Sequence, residues 1–156
     1  MVLQPASVEE LRRALADANA RAGKISSFDL RAMDRVVEYT PEDMTVTVQA
    51  GLTLAQLQAR LAERGQWLPI DPPQPERLSI GALLATNASG PRRYGHGTIR
   101  EHLLGIRVAL ADGRLQGPVV ADIVWTRKSA IVFAAVQHAA AVDERAQGQA
   151  LAVLEG

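Results

Sequence analysis

The sequence predicts an α+β fold, a mixed sheet with flanking helices. Three observations carry that expectation. Two capping-box signatures, Ser7-Val8-Glu9-Glu10 and Thr53-Leu54-Ala55-Gln56, each head an apolar stripe at helical spacing. Met44 to Ala50 alternates large apolar and polar residues over β-branched positions, the pattern of a half-buried strand. The elements run helix, strands, helix, strand, short helix, strands, helix, which is not a regular βαβ alternation.

Taken in order, Val8, Leu11, Leu15 and Ala18 recur at helical spacing, and Gly23 is a natural stop, so a helix is expected from about Val8 to Arg21. Arg35 to Thr40 and Met44 to Ala50 flank Pro41-Glu42-Asp43, where proline presets a turn. An antiparallel hairpin follows. Leu54, Leu57 and Leu61 stripe a second helix that runs to about Arg64, and Gly65 ends it. Asp71-Pro72-Pro73-Gln74-Pro75 is a stiff non-helical loop. Ser79 caps a short helix, Ile80 to Ala85, and a long loop runs from Asn87 to Gly97. His102 to Leu110 reads as a strand, with a turn at Asp112-Gly113. Val119 to Trp125 reads as another strand. From Arg127 onward the alanine-rich chain reads as helix, with Ile131, Val132, Ala135, Val136, Ala139 and Val142 forming a broad apolar face. That face is expected to pack on the sheet or on a second copy, giving a homodimer.

Composition narrows the function classes. A chain of 156 residues, 47% hydrophobic and 22% charged, suits one soluble domain with a core of its own. Acids and bases balance at 17 each, so no net charge favours nucleic acid or an anionic membrane. The absence of cysteine removes disulfides, thiolate metal sites and a cysteine nucleophile, and is compatible with a reducing cytoplasm, the location expected here. The start of the chain has no apolar signal segment, and no apolar run approaches the roughly 20 residues that span a bilayer. His96, His102 and His138 show no metal-ligand spacing, so no metal site is expected. His96 sits in the glycine-containing loop, facing either a ligand or solvent. His102 reads as structural, and Trp67 and Trp125 as core or edge aromatics.

The chemistry concentrates between Leu68 and Leu115. Gly81 and Gly90 leave room for close backbone approach. The start of the short helix, Ser79 to Ala82, offers N–H groups to an anion. Thr86, Asn87 and Ser89 add neutral hydrogen-bonding groups, and Arg92 and Arg93 add charge suited to phosphate or carboxylate. No lysine stands at P-loop spacing. Residue chemistry alone leaves a plain surface loop open as the other reading.

Several stretches share a pattern. They are Met33-Asp34-Arg35-Val36-Val37-Glu38-Tyr39, Val48-Gln49-Ala50-Gly51 and Leu68-Pro69-Ile70-Asp71-Pro72-Pro73, followed by the run from Ser79 to Arg93, then Gly97 to Ile106, then Ala111-Asp112-Gly113. In this order they resemble the FAD-binding (PCMH-type) domain of the vanillyl-alcohol oxidase and p-cresol methylhydroxylase superfamily, above all glycolate oxidase FAD-binding subunits and D-lactate dehydrogenases. The resemblance covers about residues 31–115. It implies FAD as cofactor, with Asp71 and Pro72 against the flavin. It implies that Ser79, Ile80, Gly81, Ala82, Thr86, Asn87, Ser89 and Gly90 hold the pyrophosphate and ribityl chain, and that the backbone of Gly97 and Ile106 lines the cofactor. The family reaction is hydride transfer from a 2-hydroxy acid to the flavin.

The sequence departs from that pattern in three places. Ala82 stands where the family has a second glycine. Only Ala22-Gly23-Lys24-Ile25-Ser26-Ser27 lies where the family has a strand and a glycine-rich phosphate loop. Residues 116–156 match nothing in the family, and no substrate domain follows. The expectation is therefore a single shortened domain over residues 1–156, with no catalytic residue of its own: an FAD-binding module or subunit. The alternative is a family remnant that binds no flavin and acts by self-association or through a partner chain.

Overall fold

The computed structural model describes residues 2–21 and 27–117, together with the backbone of 133–140. A short strand β1 (Val2–Leu3) leads through helix α1 (Val8–Ala20) to β2 (Ser27–Phe28), which pairs with β1 in parallel. Ser7 Oγ accepts from the Glu10 amide at 3.2 Å, as its capping box predicts. Glu10 reaches one residue further back than expected, to the Ala6 amide at 2.9 Å. α1 buries Leu11, Leu15 and Ala18, and the first two pack with Ala109, Phe28 and Leu115 in a small core cluster.

The hairpin forms as expected from its turn chemistry. β3 (Val36–Thr40) and β4 (Thr45–Gln49) pair antiparallel across a single 3-10 turn, Pro41–Asp43, with Met44 in the left-handed region. Val46 and Val48 point into the core, while Thr45, Thr47 and Gln49 are half-buried. Tyr39 donates its hydroxyl to Gln66 Oε1 at 2.7 Å, and Gln66 Nε2 donates to the Pro41 carbonyl at 2.7 Å. That bridge ties the hairpin to the end of α2 (Leu54–Ala62). Both halves of the Thr53–Gln56 capping box are made. Leu54, Leu57 and Leu61 face the main core beside Val46, Val48 and Ile80.

Helix α3 (Ile80–Thr86) is capped by Ser79, whose Oγ accepts from the Ala82 amide. The expected loop from Asn87 to Gly97 contains one helical turn, α4 (Arg93–His96), and a 3-10 turn over Ile99–His102 follows it. β5 (Leu103–Ala109) then pairs antiparallel with β6 (Leu115–Gln116) around the Asp112-Gly113 turn.

The alanine-rich segment is not helical where it is described. Phe133–Ala140 forms strand β7, parallel to β4 on one side and to β5 on the other, in a mixed sheet of order β3-β4-β7-β5-β6. A slot between two strands satisfies backbone groups on both edges, and that tertiary gain overrides the weak helical preference of alanine. The apolar helix face expected over Ile131, Val132, Ala135, Val136, Ala139 and Val142 is therefore absent at 133–140, and with it goes the basis for that dimer surface. The strand expected at Val119 to Trp125, and residues 127–132 and 141–156, lie outside the described residues.

Candidate functional site

Three loops meet beside α3. The Asp71 amide donates to the Ser89 carbonyl at 3.1 Å. Asp71 Oδ1 accepts from the Arg92 amide at 2.9 Å, and Asp71 Oδ2 lies 3.6 Å from Arg92 Nε. Ser89, only 2% exposed, accepts from the Ile99 amide at 2.8 Å through Oγ and donates to the Asn87 carbonyl at 3.3 Å. The Asp-Pro loop, the Asn87–Gly90 loop and the turn at Ile99 are thereby fastened at one residue.

Gly90 is required by this junction. Its φ is +74°, and a Cβ there would overlap the Asp71 carbonyl. Gly81 answers a similar need, since a Cβ would stand 3.0 Å from the Ala50 side chain and carbonyl. Both glycines serve contacts within the protein on the side where a side chain would project. The space expected there for ligand approach is filled.

The start of α3 also differs from its sequence reading. The Ile80 amide donates to the Leu52 carbonyl at 2.8 Å, the Gly81 amide to the Ala50 carbonyl at 2.9 Å, and the Ala82 amide to Ser79 Oγ. The N–H groups expected to be open to an anion are already bonded, because residues 78–80 run against the strand-like segment at 52–54. Ile80 is fully buried in the main core. Ala82 is exposed, so its methyl meets no packed neighbour.

The other end of α3 holds the groups left without partners among the described residues. Asn87 ends the helix in the left-handed region at φ 53°, and its Oδ1 is shielded from water with no partner among the described residues. An acceptor left in that state costs about 1–3 kcal/mol. The amides of Ser89 and Gly90 donate to no acceptor among the described residues. Thr86, exposed, returns its hydroxyl proton to the Ala82 carbonyl and keeps acceptor capacity. An unpaired acceptor beside unpaired donors fits a polar cofactor with hydroxyl and phosphate groups. Pro72 is buried next to this end, whereas Ile106 packs on the main core. Gly97, at φ +85°, lies against Glu101, whose carboxylate caps the Thr98 amide at 2.7 Å.

Residue-by-residue reading gave no role to Ile99 or Glu101 and did not foresee that Arg92 and His96 would meet on Trp67. Ile99 supplies the amide that Ser89 holds. Glu101 completes a Thr98-Ile99-Arg100-Glu101 capping box whose signature is plain in the sequence. Arg92 stacks on the half-buried Trp67, with its guanidinium 4.8 Å from the ring centroid, and His96 meets the same ring edge-on at 5.5 Å. No local signal announces that stack, because Trp67 lies 25 positions before Arg92. His96 is exposed, and His102 is buried at the end of the 3-10 turn over Ile99–His102. Burial holds the His102 pKa below its ordinary value. Among the described residues no group of three or more metal-ligating side chains gathers, and no helix is long and apolar enough to cross a membrane.

A mixed sheet with flanking helices carries this polar junction. A family model described as "FAD binding domain" matches residues 22–117, more than half of the sequence. The chain belongs to the FAD binding domain family. It is 41% identical to the probable mitochondrial D-lactate dehydrogenase of Danio rerio over 88 residues, 56% of this chain and 17% of that protein. It is 33% identical to the glycolate oxidase subunit GlcE of Escherichia coli over 89 residues, 56% of this chain and 25% of that one. It is 30% identical to a Xanthomonas citri D-2-hydroxyglutarate dehydrogenase over 130 residues, 71% of this chain and 28% of that one. Among solved structures, alkyldihydroxyacetonephosphate synthase superposes with a TM-score of 0.60 at 25% identity, over 68% of this chain and 24% of that one. The glucose dehydrogenase Phl p 4.0202 shares the fold at a TM-score of 0.67 and 15% identity, over 75% of this chain and 28% of that one. The chain thus spans about a quarter or less of the length of these relatives. It is an FAD-binding module related to flavin-dependent dehydrogenases of 2-hydroxy acids, and the reading as a flavin-free remnant is not the one these matches favour.

Two stability effects follow. Ser89→Ala strands the buried Ile99 amide and lowers unfolding free energy by about 1–3 kcal/mol in urea titrations; an unchanged midpoint would show that Ser89 does not fasten the junction. His102 has its pKa lowered in the fold, so its contribution is present above the unfolded value of about 6.5 and is lost as pH falls through the folded one. Thermal unfolding between pH 7 and pH 5 therefore shows a falling midpoint, and His102→Gln flattens that slope.

Proposed function

We propose that this chain holds FAD at the Asn87–Gly90 end of α3, as the flavin-carrying part of an oxidoreductase that acts on a small 2-hydroxy acid. The observation that carries this reading is the shielded Asn87 Oδ1, without a protein partner among the described residues, beside the unbonded Ser89 and Gly90 amides. Asn87, Ser89, Gly90 and Thr86 would hold the cofactor's polar groups, with the Asp71–Pro72 loop alongside. FAD, when bound, supplies a hydride acceptor. The chain's part is to bind, orient and exclude water.

Oxidising a 2-hydroxy acid also requires a base for the hydroxyl proton. Asp71 is ion-paired with Arg92, and His102 is buried. The base and the substrate pocket are therefore assigned to another segment or a partner chain. The name of the Escherichia coli relative, a glycolate oxidase subunit, supports a multi-chain setting. A second copy of this chain is the other partner kept under this reading. Lack of cysteine supports a cytoplasmic setting.

Titrating the purified protein with FAD, followed by fluorescence quenching and calorimetry, tests the reading. Saturable one-to-one binding is expected, and Asn87→Ala should weaken it by about tenfold, the loss of one good hydrogen bond. Absence of binding at high FAD would defeat the proposal.

A further inference from the structure

Arg92 is oriented and ion-paired with Asp71, but its terminal nitrogens carry no hydrogen bond among the described residues. Its guanidinium lies over Trp67 at 4.8 Å, and its Nε faces Asp71 Oδ2 at 3.6 Å, beyond hydrogen-bonding distance. The Asp71 Oδ1 atom is engaged by the Arg92 backbone amide. The two terminal nitrogens of Arg92 donate to no acceptor among the described residues, and its side chain is half exposed. Nearby arginines are placed otherwise. Arg100 donates through Nε to the Leu84 carbonyl and through Nη2 to the Ala85 carbonyl. Arg93 lies over Tyr94, itself 87% exposed, with its guanidinium 5.3 Å from that ring's centroid.

A stacked guanidinium loses less freedom on binding than a free one, and its planar fork matches an oxyanion with two parallel hydrogen bonds. Arg92 sits two residues after Gly90, on the loop that carries the open amides. We infer that Arg92 is a pre-oriented oxyanion-binding arm beside the FAD site, taking a phosphate or carboxylate group through its terminal N–H fork. Two sources present that chemistry, a nucleotide diphosphate and the carboxylate of a 2-hydroxy acid; naming these two rests on the function proposed above.

The test is calorimetry on the whole chain with ADP and, separately, with oxalate, for wild type, Arg92→Lys, Arg92→Met and Arg93→Met. Trp67 emission is a second readout, because an anion neutralises the cation stacked on that ring. The backbone bond from Arg92 to Asp71 survives either substitution, and circular dichroism confirms that the variants fold. Arg92→Met and Arg92→Lys should weaken at least one ligand by about tenfold or more, with Arg93→Met close to wild type. Loss confined to ADP assigns the arm to a diphosphate, and loss confined to oxalate assigns it to a carboxylate. No binding of either ligand, unchanged affinity in the Arg92 variants, or an equal loss in Arg93→Met would overturn the inference. Neither probe contains a flavin, so a protein that binds one of them through Arg92 but takes up no FAD would sink the flavin reading and leave this one standing.

Discussion

The candidate site depends on one buried hydroxyl. Ser89 accepts from Ile99, donates to Asn87, and lends its carbonyl to Asp71. Those three bonds hold together segments that share no regular secondary structure. Gly90 can lie against Asp71 only because it has no side chain, and its left-handed φ turns the chain toward Arg92. Remove this fastening, and the Asp-Pro loop, the end of α3 and the turn at Ile99 lose their common anchor. Among the described residues, Asn87 Oδ1 and the Ser89 and Gly90 amides are left without partners beside these bonded groups.

The same logic moves the site along α3. A helix start is an attractive place for an anion in general. Here it is filled by the chain itself, with the Leu52 and Ala50 carbonyls taking the first two amides and the Ser79 hydroxyl the third. Among the described residues, the unpartnered Asn87 Oδ1 lies at the opposite end.

Local features of the fold were legible, and nonlocal ones were not. The Ser7 cap, the Thr53–Gln56 capping box, the Pro41-Glu42-Asp43 turn and the alternation of β4 are written within a few residues and formed where expected, while Glu10 closed its box on Ala6 and α2 ended at Ala62, short of the expected Arg64. The motif order also led to the family. β7 was misread because its stability comes from β4 and β5, dozens of positions away, while its alanines suggest helix to any local rule. α4 is one turn of helix in a glycine-containing loop, too short for periodicity to register. The family resemblance implies Ser89 as a cofactor contact. Its buried oxygen is instead spent on Ile99 and Asn87. The Trp67–Arg92 stack depends on a fold that brings residue 67 beside residue 92.

The claim at the centre of this account is that ligand-binding capacity lies at the C-terminal end of α3 and not at its start. Amide chemical-shift mapping of isotopically labelled protein with FAD tests it directly. The account predicts shifts at Asn87, Ser89, Gly90 and Arg92, with Ile80, Gly81 and Ala82 unmoved. Shifts centred on residues 80–82, with the Asn87–Gly90 loop silent, would contradict it.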